Sequence, residues 1–252
     1  MKTEYEQHYH RAEEIHWWFV ERRHVVGALA IAAHPDRKGS ILEIGCAGGM
    51  LIQQLNAAGY RDVRGIDISE KGIALCHERG LKETWVMDAQ KPTFADRSFD
   101  VITASDVLEH LAEDGRALDE WRRMLKPGGT VIIFVPAFMF LWTAHDEVNR
   151  HYRRYRRGEL CALLTKHGFE VQRSSYWNFL IFLPVAALRL LRRALPSKES
   201  SPEGDMALPP RFINQLLIAW MRIENRLLLA GLRFPWGVST MVIARRPKDS
   251  AR

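Results

Sequence analysis

The chain has 252 residues, 47% of them apolar, which sets it as one generous domain, or one domain with a large insertion, with material for an ordinary core. Its three cysteines, Cys46, Cys76 and Cys161, show no paired or metal-like spacing, which excludes a disulfide framework and suits a reducing cytoplasmic compartment. The net charge of +6 is concentrated in one run, Arg150–Arg157, and the polar, charged N-terminus is read as carrying no signal peptide.

In chain order, residues 2 to 34 read as helix in two pieces, with His16-Trp17-Trp18-Phe19 between them. Two tryptophans and a phenylalanine need burial somewhere, and a staple onto the body of the protein satisfies that need. From 40 to 135 strands and helices alternate. Strands are expected near 40–44, 63–67, 84–88, 99–104 and 130–135, and helices at 49–58, 69–79 and 111–124. Such alternation implies a parallel sheet covered on both faces. A loop with Phe138, Phe140, Leu141 and Trp142 follows Pro136. Then come a helix at 158–167 ended by Gly168, a strand at 169–175 and a last strand at 238–244.

More than sixty residues separate those last two strands. The run Asn178–Leu188 is too short for a bilayer, which needs ~20 residues, and Pro184 argues against one regular helix there. Arg189, Arg192 and Arg193 follow, and Ser197–Asp205 reads as a polar loop. Across 210–231, Phe212, Ile213, Leu216, Leu217, Trp220, Ile223, Leu227 and Leu228 recur at helical spacing. Two readings stand: a lid packed on the core, ranked first, and an interfacial helix pair with arginines toward lipid phosphates.

The most informative motif is Ile41-Leu42-Glu43-Ile44-Gly45-Cys46-Ala47-Gly48-Gly49-Met50, followed by Val63–Asp67. It reads as strand, tight turn, helix and second strand, the glycines letting backbone approach a ligand closely. Asp67 at the tip of the second strand is placed to take two ribose hydroxyls. The spacing is Glu43-x-Gly45-x-Ala47-x-Gly49, and Glu43 at the end of the first strand would repel a pyrophosphate. S-adenosylmethionine (SAM) carries an ammonium and a sulfonium, so electrostatics favours it over a dinucleotide. Further motifs follow in order. They are Trp85–Ala89, Phe94-x-Asp96-x-Ser98-Phe99-Asp100, Asp106-x-x-Glu109-His110 and Leu125-Lys126-Pro127-Gly128-Gly129.

With these motifs in order, residues 40 to 136 resemble a class I SAM-dependent methyltransferase of the small-molecule type. Ala47 stands where the pattern more often has glycine, and the chief departure is the segment of more than sixty residues between the last two strands, where the pattern has a short hairpin. The resemblance implies a Rossmann-like seven-stranded α/β sheet, parallel except for an antiparallel last strand, with helices on both faces. It implies a SAM-binding core at 37–176 and 235–247, an N-terminal helical cap at 1–36 and a helical insertion at 177–234. It places Glu43, Gly45, Cys46, Ala47, Gly49, Asp67, Ile68, Asp88, Ala89 and Ser105 around SAM and its product S-adenosylhomocysteine. Cys46 is also read as a small packing residue of the loop.

Methyl transfer needs alignment, exclusion of water and, for a hydroxyl acceptor, a base. Candidates for the base are His110 and His145, with Asp146 as a catalytic candidate that orients the acceptor hydroxyl; no metal is called for, and Asp100 and Glu109 read as structural. Trp17, Trp18, Arg22, His151, Arg154 and Tyr155 are candidates for the acceptor site, with the arginine run facing an anionic group. The leading function is therefore methyl transfer, O-transfer first, to a small or lipid-linked acceptor, in the cytoplasm or at the inner face of a membrane contacted through 177–234. An RNA methyltransferase using Arg150–Arg157 ranks below it because no RNA-binding module is evident, and a non-catalytic SAM-binding protein ranks third. Oligomeric state is not legible.

Overall fold

The computed structural model describes residues 12–194 and 208–249. Residues 2–11 of the expected N-terminal helix, the polar stretch 197–205, and the side chains of Arg192 and Arg193 lie outside the described part. A helical turn at 12–15 leads to His16, which interrupts the helix and caps the next, α1 (Trp17–Ala33), by accepting the Trp18 N–H at Nδ1. There follow β1 (Ile41–Ile44), α2 (Met50–Ala57), β2 (Val63–Asp67), α3 (Glu70–Glu78), β3 (Thr84–Val86) and β4 (Phe99–Ser105). After a single 3-10 turn at Leu108–His110 come α4 (Asp114–Met124), β5 (Leu125–Pro136), α5 (Ala144–Val148), α6 (Arg157–Lys166) and β6 (Glu170–Trp177). Two helices, α7 (Phe182–Ala194) and α8 (Arg211–Leu229), precede β7 (Ser239–Arg245).

The strands form one sheet in the order β3-β2-β1-β4-β5-β7-β6, with β7 antiparallel to both neighbours. Alternation along each strand feeds two cores. Val101, Ile132 and Phe134 point to one face, where α1, α2, α3 and α8 contribute Val25, Leu29, Ile52, Ile73 and Met221. Leu42, Ile44, Ile102, Val131, Ile133 and Val135 point to the other, covered by Leu118 and Trp121 of α4 and Leu160 and Leu164 of α6. Because β1 and β4 are adjacent parallel strands, the loops at their C-terminal ends meet, and the cleft forms there.

Several boundaries differ from expectation for definable reasons. Strand β3 stops at Val86, because the Asp88 side chain accepts the Gln90 N–H at 2.8 Å and turns the chain. Pairing of β5 begins at Leu125, so the Lys126–Gly129 stretch is absorbed into an irregular strand start opposite a register shift in β4. Pro184 does not divide 178–188. It is the third residue of α7, inside the first turn, where a missing N–H costs no helical bond.

The largest departure is α8. Its inward residues are Asn214, Ile218, Met221, Glu224, Asn225 and Leu228. Phe212, Ile213, Leu216, Trp220, Ile223 and Leu227 face outward, Phe212 at 74% exposure. The apolar side of this helix is thus not the side that packs. The inward side is held instead by polar partners. Asn214 exchanges hydrogen bonds with Trp17 N and Ile15 O, Asn225 binds Glu21 and the Trp177 indole, and Glu224 accepts from the backbone N–H groups of Phe179 and Leu180.

Candidate active site

The loop after β1 is shaped by left-handed backbone at Gly45 (φ +75°), Ala47 (φ +44°) and Gly49 (φ +77°). Ala47 adopts the glycine-like conformation despite its Cβ, at a cost of ~1 kcal/mol, and is held by three contacts. Its N–H donates to Asp67 Oδ2 at 2.8 Å, its carbonyl accepts from Cys76 Sγ, and Gly72 lets α3 pass against it where a Cβ would lie 2.9 Å from its carbonyl oxygen. Asp67 Oδ1 takes the Ser69 N–H at 2.8 Å, so this carboxylate ties the β2 end to the glycine loop. Gly49 does not line the cleft; its missing side chain makes room for Leu81 and Cys76 behind the loop.

The cleft itself has a volume of about 510 Å³. Of the residues expected around SAM, Glu43, Gly45, Cys46, Ala47, Asp67, Ile68, Asp88, Ala89 and Ser105 all line it, and Gly49 alone does not. Ile68 is 74% exposed at its rim, an apolar surface facing the opening. Sequence reasoning missed Glu13, Arg23, Met50, Met87, Gln90 and Asn149, which complete the wall. Met50 and Met87 lie inside the motifs at 41–50 and 85–89 without being singled out there, whereas Glu13, Arg23, Gln90 and Asn149 carry no motif and arrive through the path of a neighbouring element.

Glu43 decides what charge the cleft wants. Its Oε2 is buried without a hydrogen-bond partner. Burial, reinforced by Glu13, pushes its carboxyl well above the usual range, so an ionised Glu43 calls for a cation. A ligand with an ammonium fits; a pyrophosphate does not. This is the observation by which the cleft matches SAM.

A second cavity of about 260 Å³ adjoins the first, sharing Phe19, Asp106, His110 and Asn149. Trp17 and Trp18 of α1 wall it, and Ile181, Val185 and Leu188 near and within α7 form its apolar side. Trp18 also stacks edge-on against Trp177 at 5.3 Å, so it both walls the cavity and staples α1 to β6. Arg22 lines the first cleft and ion-pairs with Asp106, whose left-handed φ of +52° aims it across the junction.

The basic run and its neighbours need correction. Asp146 does not reach toward an acceptor. Its oxygens take Arg154 Nε and Nη2 at 2.8 Å each, His151 Nδ1 at 2.8 Å and the Thr143 N–H. Burial alone would raise its pKa, but the His151 and Arg154 bonds outweigh that and hold it well below the carboxylate range. Arg154 is correspondingly buried and is not a surface for anions, though it borders the second cavity. Tyr155 lies in the core, its hydroxyl on Asp114 at 2.8 Å, and lines neither cavity. Arg153 is paired with Asp114, and Arg157 stacks over Tyr176. Arg153, Arg154 and Arg157 are thus engaged in internal contacts, while Arg150 and Arg156 are exposed.

His110, His145 and His151 do gather at the junction. His110 and His151 stack edge-to-face at 4.5 Å, and His145 lies 6.3 Å from His151. Desolvation at the cleft wall, with His151 beside it, lowers His110 to about 4. Below them Glu109, fully buried, has both carboxylate oxygens without a hydrogen-bond partner, and burial pushes it up to about 8. Asp100, by contrast, is structural as read, tied to Ser40 and Lys126 at the opposite end of β4.

Comparisons with known proteins agree with this architecture. A protein-family model described as "Methyltransferase domain" matches residues 42–133. A ubiquinone biosynthesis O-methyltransferase of Methylococcus capsulatus is 33% identical over 130 residues, 46% of this chain and 54% of that protein. Its namesake in Paraburkholderia phymatum is 28% identical over 132 residues, 50% and 51% of the two chains. The chain spans about half the length of the curated relatives it matches. Among solved structures, a putative sarcosine dimethylglycine methyltransferase from Galdieria sulphuraria superposes with a TM-score of 0.62 at 12% identity, covering 91% of this chain and 86% of that one. A phosphoethanolamine N-methyltransferase of Haemonchus contortus does so at 0.58 and 20%, covering 88% and 52%. At those identities the structural likeness speaks for the fold, while the family match speaks for the chemistry of the loop and sheet. This chain carries a class I SAM-dependent methyltransferase domain.

Proposed function

We propose that the protein moves the methyl group of SAM onto a hydroxyl of a small or lipid-linked acceptor held in the second cavity. The observation that carries this is the continuity of the two cavities through Phe19, Asp106, His110 and Asn149. An acceptor in one reaches a donor in the other only across that junction. In this reading Glu43 faces the donor ammonium, Asp67 the ribose and Asp88 the adenine, while Trp17 and Trp18 flank the acceptor. The acceptor oxygen attacks the methyl carbon in line, the carbon–sulfur bond breaks to give S-adenosylhomocysteine, and the hydroxyl proton is released to water at the junction, beside Glu109, His110 and His151. The protein supplies alignment and a dry site, which is the larger part of the barrier reduction for a leaving group this good. Domain limits follow the same logic: α1 and the segment 177–234 close the acceptor side, and 37–176 with 235–247 hold the donor.

A lipid-linked acceptor is favoured by what surrounds the second cavity. Val185 and Leu188 of α7 line it, while Leu183, Leu190 and Leu191 of the same helix are exposed, as is the outward apolar side of α8. Among the described residues no helix is long and apolar enough to cross a membrane, so contact would be with its surface. The test is incubation of the full chain with isotopically labelled SAM and with fractionated extract. Label entering the organic-soluble fraction as a methyl ether supports the reading; label confined to RNA, or to a water-soluble amine, overturns it.

A further inference from the structure

The junction holds one carboxyl group more than its arginines pair. Arg22 is committed to Asp106 and Arg154 to Asp146. Glu109 is left fully buried, both oxygens unpartnered, with no counter-ion of its own. The neighbouring imidazoles are arranged in a particular sense. His110 Nδ1 lies 2.9 Å from the Asn149 carbonyl oxygen, and His151 Nδ1 lies 2.8 Å from Asp146 Oδ1. Both partners only accept, so Nδ1 of each ring is the donor, and in the neutral imidazole the lone pair is then at Nε2. This outer tier, a carbonyl behind one imidazole and a carboxylate behind the other, fixes tautomer and ring orientation in the way seen behind metal-bound histidines. One ligand atom from each of Glu109, His110 and His151 lies within 4.8 Å of the others.

We infer that Glu109, His110 and His151 form a two-histidine, one-carboxylate site for a first-row divalent cation. Imidazole nitrogen with a single carboxylate suits zinc, cobalt, manganese or iron better than magnesium or calcium, which prefer all-oxygen sets. An ion ~2.1 Å from each ligand keeps them ~3 Å apart, so the three side chains draw together on binding. Such a set leaves coordination positions open, and here His110 places them at the junction of the two cavities. An acceptor hydroxyl coordinated there loses its proton to water more readily, and the resulting oxygen attacks the methyl carbon as the carbon–sulfur bond breaks. The histidine spacing carried no metal signal because His151 comes from a separate loop, ordered by Asp146 and Arg154. The role in catalysis rests on the methyl-transfer reading; the binding does not.

The experiment uses the full chain, stripped with chelator and free of any histidine tag. Zinc chloride is titrated by calorimetry, and cobalt chloride by visible absorption, both without SAM. One equivalent is expected to bind, with cobalt giving a d–d band of an imidazole-ligated site. Glu109→Gln and His151→Gln, folded by circular dichroism, should each weaken binding more than about tenfold while leaving SAM affinity unchanged, since neither residue lines the donor cleft. If one variant does not fold, the other decides. Absence of saturable one-to-one binding, or binding indifferent to the folded variants, overturns the inference and leaves the methyl-transfer reading standing. Intact metal binding in a protein that takes no SAM has the opposite meaning.

Discussion

His16 shows how one side chain sets both a helix start and a pH limit. Its Nδ1 accepts the Trp18 N–H at 3.2 Å, a role open only to the unprotonated ring. Burial lowers its pKa from 6.5 to about 4. Between those values the unfolded chain binds a proton that the folded chain refuses, so stability falls as pH drops from 6.5 toward 4 and is fully present above that window. The ceiling on this effect is ~3 kcal/mol. Denaturant melts across that range should show the loss in the native protein and a flatter profile in His16→Asn, which keeps a capping acceptor without the titration. Identical profiles would remove His16 from the account. The residue scale also shows where sequence reading worked. Glu43, the glycine loop and Asp67 are consecutive or follow one strand, and the structure places them in one cleft. Asp146 and Arg154 were misplaced because each was read alone. Their mutual burial depends on a loop closing back on itself, which no local pattern encodes.

At the scale of elements, strands and core helices were legible because their periodicity reports burial directly. Helix α8 was legible as a helix and misread as to its facing, since the hydrophobic side of a helix normally marks the packed side. Here buried Asn214, Glu224 and Asn225, with dedicated partners on α1 and β6, reverse that assignment. Six large apolar side chains are left outward, flanked by exposed Arg211, Arg222 and Arg226. That combination suits an anionic bilayer surface. The double variant Trp220→Glu/Ile223→Glu removes exposed side chains only, so its melting midpoint should stay within about 0.5 kcal/mol of the parent in free-energy terms. Its co-sedimentation with phosphatidylglycerol vesicles should drop severalfold. Equal pelleting of the two proteins would show that the face serves something other than lipid.

For the whole molecule, donor binding and folding are one equilibrium. A ligand that binds only the native chain stabilises it by about 2.7 kcal/mol at a hundredfold excess over its dissociation constant. Glu43 makes the linkage asymmetric. Its raised pKa means the folded chain holds a proton that the unfolded chain releases, so ionisation above the ordinary carboxylate range works against the ligand-free fold. Glu43→Gln should therefore melt higher than the parent at pH 8 without SAM, should lose that advantage near pH 4, and should gain less from SAM. Thermal scans with and without SAM at both pH values check all three; a variant that gains as much as the parent would take the ammonium away from Glu43.

The two cavities differ in where their walls come from. Within the second, only Asp106, Glu109 and His110 belong to the stretch 42–133 shared with the methyltransferase family; every other lining residue comes from the flanks. The first cavity is thus built mainly from the stretch that matches the family model, while the second is built mainly from the segments on either side of it. Exchanging Trp17, Trp18, Ile181, Val185 and Leu188, which line the second cavity and not the first, would accordingly be the way to alter what that cavity admits with the donor cleft left as it was.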